Sequence, residues 1–231
     1  MNVLITGCDG SLGSYLEGHF ATFGWDLGDK SNVLGMPKSV HTKNAIDVFM
    51  AAFYGEVSRL HAAILNDGIN HLSWIGTTPE EDENIMLRNV MAPYWTLNAL
   101  VELRGRTNPM RVVFVTSQTY KVPQRTTALY CASKAALTQM MRVAARELAP
   151  YGWSINAVAP GKIEDTRMSR MTDAQVLELR GWTEEMAHKY AQALVPMGRF
   201  TSRPEVANII ESVLNLPSYV NGAVIEATGG V

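Results

Sequence analysis

A chain of 231 residues that is 47% hydrophobic and 18% charged, with a formal net charge of −2, has the make-up of a globular protein with one sizeable core. The near balance of charge excludes an electrostatic case for nucleic acid or an anionic membrane and points to small neutral or weakly charged ligands. No apolar run reaches about 18 residues, and the opening "MNVLITG" has no basic region ahead of a hydrophobic stretch, so neither a membrane span nor a signal peptide is predicted and the cytoplasm is the expected compartment.

Strand-like and helix-like segments alternate along the chain. "NVLIT" (2–6) is a first buried strand, followed by a helical pattern over 11–23, a second over 42–56, and a strand "AAILN" (62–66). A helix over 80–104, a strand "RVVFVTS" (111–117), a helix over 130–149 and a strand "SINAVAP" (154–160) come next. The chain closes with helices over 172–194 and 204–216, the last opened by Ser202, Arg203 and Pro204, and a strand "AVIEAT" (223–228). This alternation predicts a single α/β domain over 1–231: a Rossmann-type, doubly wound parallel sheet with helices on both faces and ligands at the carboxyl ends of its strands. The polar "GKIEDTRMSRMTD" (161–173) is the expected flap over that edge, within a segment reaching about 197.

"TGCDGSLG" (6–13) follows the first strand and opens the first helix, with Gly7, Gly10 and Gly13 as its glycines and Ser11 and Leu12 between them. Glycines at such a turn let backbone amides approach a pyrophosphate at a helix N-terminus; the other reading is a merely tight turn. In "LYCASKAAL" (129–137), Tyr130 and Lys134 are four apart and share a helix face. An ammonium near a phenol lowers its pKa and makes a general acid and base, although this spacing also occurs by chance. Ser117, at the end of its strand, is placed to hydrogen-bond a substrate oxygen. Cys8 and Cys131 have no metal-ligand spacing and read as free thiols, the five histidines form no metal pattern, and "EEDE" (80–83) suits the N-terminus of a helix.

Taken together these motifs resemble the short-chain dehydrogenase/reductase family, in its compact branch, over essentially the whole chain. "TGCDGSLG" stands at the family's TGxxxGxG loop and "YCASK" at its YxxxK; Ser117 falls at its catalytic serine and Asn89 at the helix asparagine that completes its tetrad. "LNDG" (65–68) looks like its NAG segment, giving Asn66 and Gly68, and "NAVAPGKIEDT" (156–166) like the segment that closes over the nicotinamide, giving Pro160, Gly161, Ile163 and Thr166. The resemblance implies an NAD(P)-dependent enzyme that interconverts a carbonyl and a secondary alcohol. Ser117 would hold the substrate oxygen and Tyr130 transfer the proton. Lys134 would bind the nicotinamide ribose and lower the Tyr130 pKa, while Asn89 would hold a helix kink and a water. It also implies a homodimer or homotetramer.

Three departures stand out. Ser11 replaces the family's second glycine, a spacing shared with the extended branch and its epimerases and dehydratases, for whose extra domain this length leaves no room. The second strand is weak: Asp26 and Asp29 compete with Lys30, Ser31 and Asn32 for the ribose, and the balance favours NAD over NADP. The adenine aspartate is missing near Gly35 and Met36, and Asp67 replaces the alanine of NAG. A noncatalytic nucleotide sensor or scaffold on the same fold is the alternative these departures support. Trp74, Tyr120, Met168 and Trp182 are expected around the nicotinamide, suggesting an apolar or ring-bearing alcohol or ketone, or else plain packing.

Overall fold

The computed structural model describes residues 2–22, 33–77 and 80–231, excepting the side chains of Glu80, Glu81 and Glu83. In chain order these form β1 (Val3–Thr6), α1 (Ser11–Thr22), β2 (Val33–Met36), α2 (Lys43–Ala52), the single turn α3 (Tyr54–Val57) and β3 (Ala62–Leu65). Next come α4 (Glu80–Met86), a π-helical turn (Leu87–Met91), α5 (Ala92–Arg104), β4 (Arg111–Val115), a 3-10 turn (Gln118–Tyr120) and α6 (Ala128–Leu148). The chain ends with β5 (Ser154–Pro160), α7 (Arg167–Arg180), α8 (Glu184–Ala193), α9 (Arg203–Leu214) and β6 (Val224–Ala227).

The strands form one sheet in the order β2-β1-β3-β4-β5-β6, parallel at every pairing. Burial on both faces explains the unbroken apolar runs of the central strands. Leu4, Ala63, Leu65, Val112 and Phe114 face a core shared with α2, α5 and α6. Their neighbours Val3, Ile5, Ala62, Ile64, Val113 and Val115 face a second core shared with α1 and α9. The order reverses between β1 and β3, and in open α/β sheets the ligand crevice lies at the carboxyl ends beside such a point. Among the described residues only β2 lies beyond β1, where the 3-2-1-4-5-6 dinucleotide sheet has two strands; the order they show is the 2-1-3-4-5 type lengthened by one.

The weak second strand is therefore real and short, and its register pairs Thr6 with Met36. Gly35 and Met36, the positions that seemed to lack an adenine aspartate, lie within this strand, whose carboxyl end delivers Pro37 and Lys38 to the crevice. The ribose candidates Asp26, Asp29, Lys30, Ser31 and Asn32 lie outside the described residues. The helix expected over 172–194 is two helices. Gly181 ends α7 in the left-handed conformation (φ 62°) and Thr183 caps α8 by accepting the Met186 amide, so the chain turns between them. The helix expected over 80–104 keeps its path but contains the π turn at 87–91.

Candidate active site

Close backbone approach shapes the glycine loop. Gly7 has φ +65°, and a Cβ there would lie 3.0 Å from Asp67 Cα; at Gly13 a Cβ would lie 2.0 Å from the Gly7 carbonyl oxygen. Gly10 donates to the Gly7 carbonyl (2.9 Å) and Ser14 to that of Gly10 (2.8 Å), so α1 starts at Ser11. The first-turn amides of Ser11, Leu12 and Gly13 have no intrahelical acceptor, which is what a diphosphate requires. Lys38 lies across the loop: a Cβ on Gly10 would meet its Cε at 2.7 Å and Nζ at 2.9 Å, and its own amide donates to Asp9 Oδ1 (2.7 Å). These residues fit a nicotinamide dinucleotide.

At the end of β3, the Asn66 amide donates to Thr6 Oγ1 (2.9 Å) and its Nδ2 to the Thr6 carbonyl (3.2 Å), tying the segment to β1. Gly68 leaves little room for a side chain, since a Cβ would be 3.3 Å from both Asn89 Oδ1 and Lys134 Nζ. Buried Asp67 accepts both its bonds from Arg88 Nη2, at 3.2 and 3.4 Å, and the same nitrogen donates to the Lys38 carbonyl at 3.1 Å. No motif marks Lys38 or Arg88. The signal for Arg88 is the charge at Asp67, which needs a partner once buried; the signal for Lys38 is its place just after β2, obscured because that strand is weak.

The catalytic candidates converge at the carboxyl end of β4. Ser117 follows that strand, Tyr130 stands in the first turn of α6 and Lys134 one turn on, with all three buried. Burial pushes the Tyr130 phenol up to about 12, opposed by the influence of the Ser117 side chain, which lowers it. Lys134 Nζ lies 5.7 Å from the centre of the Tyr130 ring and donates to the Val115 carbonyl at 3.2 Å. Burial pushes its ammonium down to about 8, against the charge of Asp67, which holds it up. The lowering of the tyrosine pKa expected from Lys134 is not found, and burial dominates. Asn89 sits fully buried in the π turn, accepts the Ile69 amide (2.8 Å), and donates to the Ile69 carbonyl (2.9 Å) and Ser133 Oγ (3.0 Å). It fastens the helix kink to the loop after β3.

Pro160 ends β5, and the Gly161 amide donates to the Ala227 carbonyl at 2.9 Å. Ile163 bridges to Thr201, and Thr166 caps α7 by accepting the Ser169 amide at 3.1 Å. Of the expected apolar wall, Tyr120 donates to Glu226 (2.7 Å) at the β6 edge and Trp182 packs on Tyr190 with ring centroids 5.0 Å apart. Both anchor structure elsewhere, which leaves Trp74, beneath the Arg125 guanidinium (5.2 Å), and half-buried Met168. Beside Ser117, the buried Gln118 Oε1 and Thr119 Oγ1 have no hydrogen-bond partner among the described residues. Cys8 and Cys131 are free thiols, and burial together with Glu17 and Asp9 pushes the Cys8 pKa up, away from thiolate reactivity. Among the described residues no group of His, Cys, Asp or Glu is arranged to hold a metal, and no helix is long and apolar enough to cross a membrane.

The chain is similar to known proteins. The short chain dehydrogenase family model matches residues 20–176. The chain is similar to a cyclohexanol dehydrogenase of Rhodococcus sp. (strain TK6), 29% identical over 215 residues that cover 86% of this chain and 72% of that one. It is 28% identical over 196 residues to a diacetyl reductase, (S)-acetoin forming, of Staphylococcus aureus, covering 81% and 74%. Its fold is similar to that of a variant of actinorhodin polyketide ketoreductase solved with NADPH, with TM-score 0.87, 20% identity and coverage of 99% and 96%.

Proposed function

The chain belongs to the short-chain dehydrogenase family, oxidoreductases that interconvert alcohols and carbonyls with NAD or NADP, and from that premise we propose that Asn89, Ser117, Tyr130 and Lys134 are its catalytic set. The observation that carries the reading is the buried Tyr130 phenol, with the Lys134 ammonium one helical turn away and 5.7 Å from its ring centre, at the carboxyl end of the strand that leads to Ser117. Ser117 holds the substrate oxygen. Tyr130, protonated at neutral pH, gives its proton to a carbonyl oxygen in reduction and takes one from the alcohol in oxidation. When bound, the nicotinamide supplies or accepts the hydride at the reacting carbon. The Ser117 hydroxyl, and the charge of Lys134 one helical turn away, would favour the phenolate left after transfer, and Asn89 keeps the loop after β3 seated against α6.

The dinucleotide would rest on Gly7, Gly10, Ser11, Leu12 and Gly13, with Asn66 and Gly68 beside it at the end of β3 and Pro160, Gly161, Ile163 and Thr166 around the nicotinamide. Lys38 over the glycine loop offers a cation to a ribose 2′-phosphate, so the proposed cofactor is NADP rather than the NAD expected on balance from residues 25–36. The names of the relatives support a small secondary alcohol or ketone as substrate. The unpartnered oxygens of Gln118 and Thr119 favour one with a hydrogen-bonding group near its reacting carbon. Exposed Met91, Tyr94, Leu129 and Val143 on and beside α5 and α6 support assembly of the single-domain chain as a homodimer or homotetramer.

Fluorescence titration with NADPH and NADH tests the cofactor. NADPH is expected to bind more tightly, an advantage that Lys38→Ala removes; equal affinity in the native chain would reverse the choice, and binding of neither would overturn the enzymatic reading. With a carbonyl substrate in hand, Tyr130→Phe is expected to abolish turnover while leaving nucleotide affinity intact.

A further inference from the structure

Ser11 stands where the resemblance expects a glycine, and it has a use there that glycine could not serve. The Arg167 amide, first of α7, donates to Ser11 Oγ at 2.9 Å, joining the flap to the first residue of α1. This contact adds to the capping of α7 by Thr166, whose Oγ1 accepts from Ser169 and whose carbonyl accepts from Arg170. It matters because α7 has no fully buried residue and is held over the carboxyl edge by polar ties rather than by a core. Two more ties lie further along: Gln175 Oε1 accepts the Leu72 amide (3.3 Å) with its Nε2 2.8 Å from His71 Nδ1, and Lys162 pairs with Asp173 (2.5 Å).

We infer that Ser11 is a positioning residue that couples occupancy of the glycine loop to closure of α7. The inference rests on the dinucleotide reading of that loop. A serine hydroxyl that accepts one bond keeps its own proton to donate. A pyrophosphate resting on the amides of Ser11 and Leu12 lies within reach of that proton, so one oxygen can accept from the flap while donating to the ligand. Polarised from both sides, each bond strengthens the other. Bound nucleotide thereby holds the N-terminus of α7 down, and a closed α7 holds the nucleotide.

The test pairs nucleotide titration with amide hydrogen exchange over residues 167–170, in the native chain and in Ser11→Ala and Ser11→Gly. Because Gln175 and Asp173 keep their ties, α7 should remain helical in both variants. Loss of one such hydrogen bond predicts a roughly three- to tenfold weaker NADPH affinity. It also predicts faster exchange at 167–170, with a smaller slowing on adding nucleotide than in the native chain. Unchanged affinity, or weaker affinity with native exchange at 167–170, would overturn the coupling. Failure of the native chain to bind NADPH or NADH would instead overturn the dinucleotide reading, while exchange in the nucleotide-free proteins still reports whether Ser11 holds the flap.

Discussion

Asp67 shows how one residue can bind a loop and tune a site at once. Its carboxylate is nearly inaccessible, it is paired through a single Arg88 nitrogen, and it helps keep the buried Lys134 charged. Removing one partner of a buried pair strands the other charge, so Arg88→Met is expected to destabilise the protein by about 3 kcal/mol, and adding Asp67→Ala should recover most of that loss. Chemical denaturation of both variants measures it. Lys134 has a pH signature of its own. Its folded pKa of about 8 lies below the ordinary lysine value, so the unfolded chain binds more protons between about pH 8 and 10. The cost of burying the ammonium applies below that window and fades as pH rises through it. The melting temperature of the nucleotide-free protein should therefore rise from pH 8 toward pH 10 relative to Lys134→Met. A difference that is flat with pH would contradict the burial argument.

At the scale of elements, single residues decide where α7 begins and ends. Thr166 starts it, and Gly181 stops it in a left-handed conformation with open space around it, since a Cβ there would meet nothing within 4 Å. Gly181→Ala therefore isolates backbone strain: roughly 1–2 kcal/mol, read as a melting temperature lower by about 2–8 °C. The π turn does comparable work between α4 and α5, setting Asn89 where its amide meets both backbone groups of Ile69. A 3.6-residue pattern shows that a helix spans 80–104 but not that one turn is widened within it, because the apolar stripe continues through the turn.

At the scale of the molecule, apolar side chains left exposed on and beside α5 and α6 call for a partner surface, and a second copy of the chain is the expected occupant. Light scattering should return two or four times 25.4 kDa, and a monomer mass would overturn that expectation. The parallel sheet, the tight glycine turn and the shared helix face of Tyr130 and Lys134 were legible in the sequence, because each rests on local spacing: unbroken apolar strands, glycines at a strand-to-helix turn, two residues one helical turn apart. Contacts between distant segments were not. Lys38 over Gly10, Arg88 against Asp67 and the Arg167 amide on Ser11 join residues 28, 21 and 156 positions apart, respectively. No local pattern records such separations. The short β2 also needed the tertiary structure, since its four residues become a strand through pairing with β1 rather than through their own apolar period. The sequence by itself therefore determined the fold class and the chemical groups on offer. Only the folded chain decided which charges lie beside the glycine loop and what ties α7 to it, because those depend on the register of a weak edge strand and on polar contacts across the sheet's carboxyl edge.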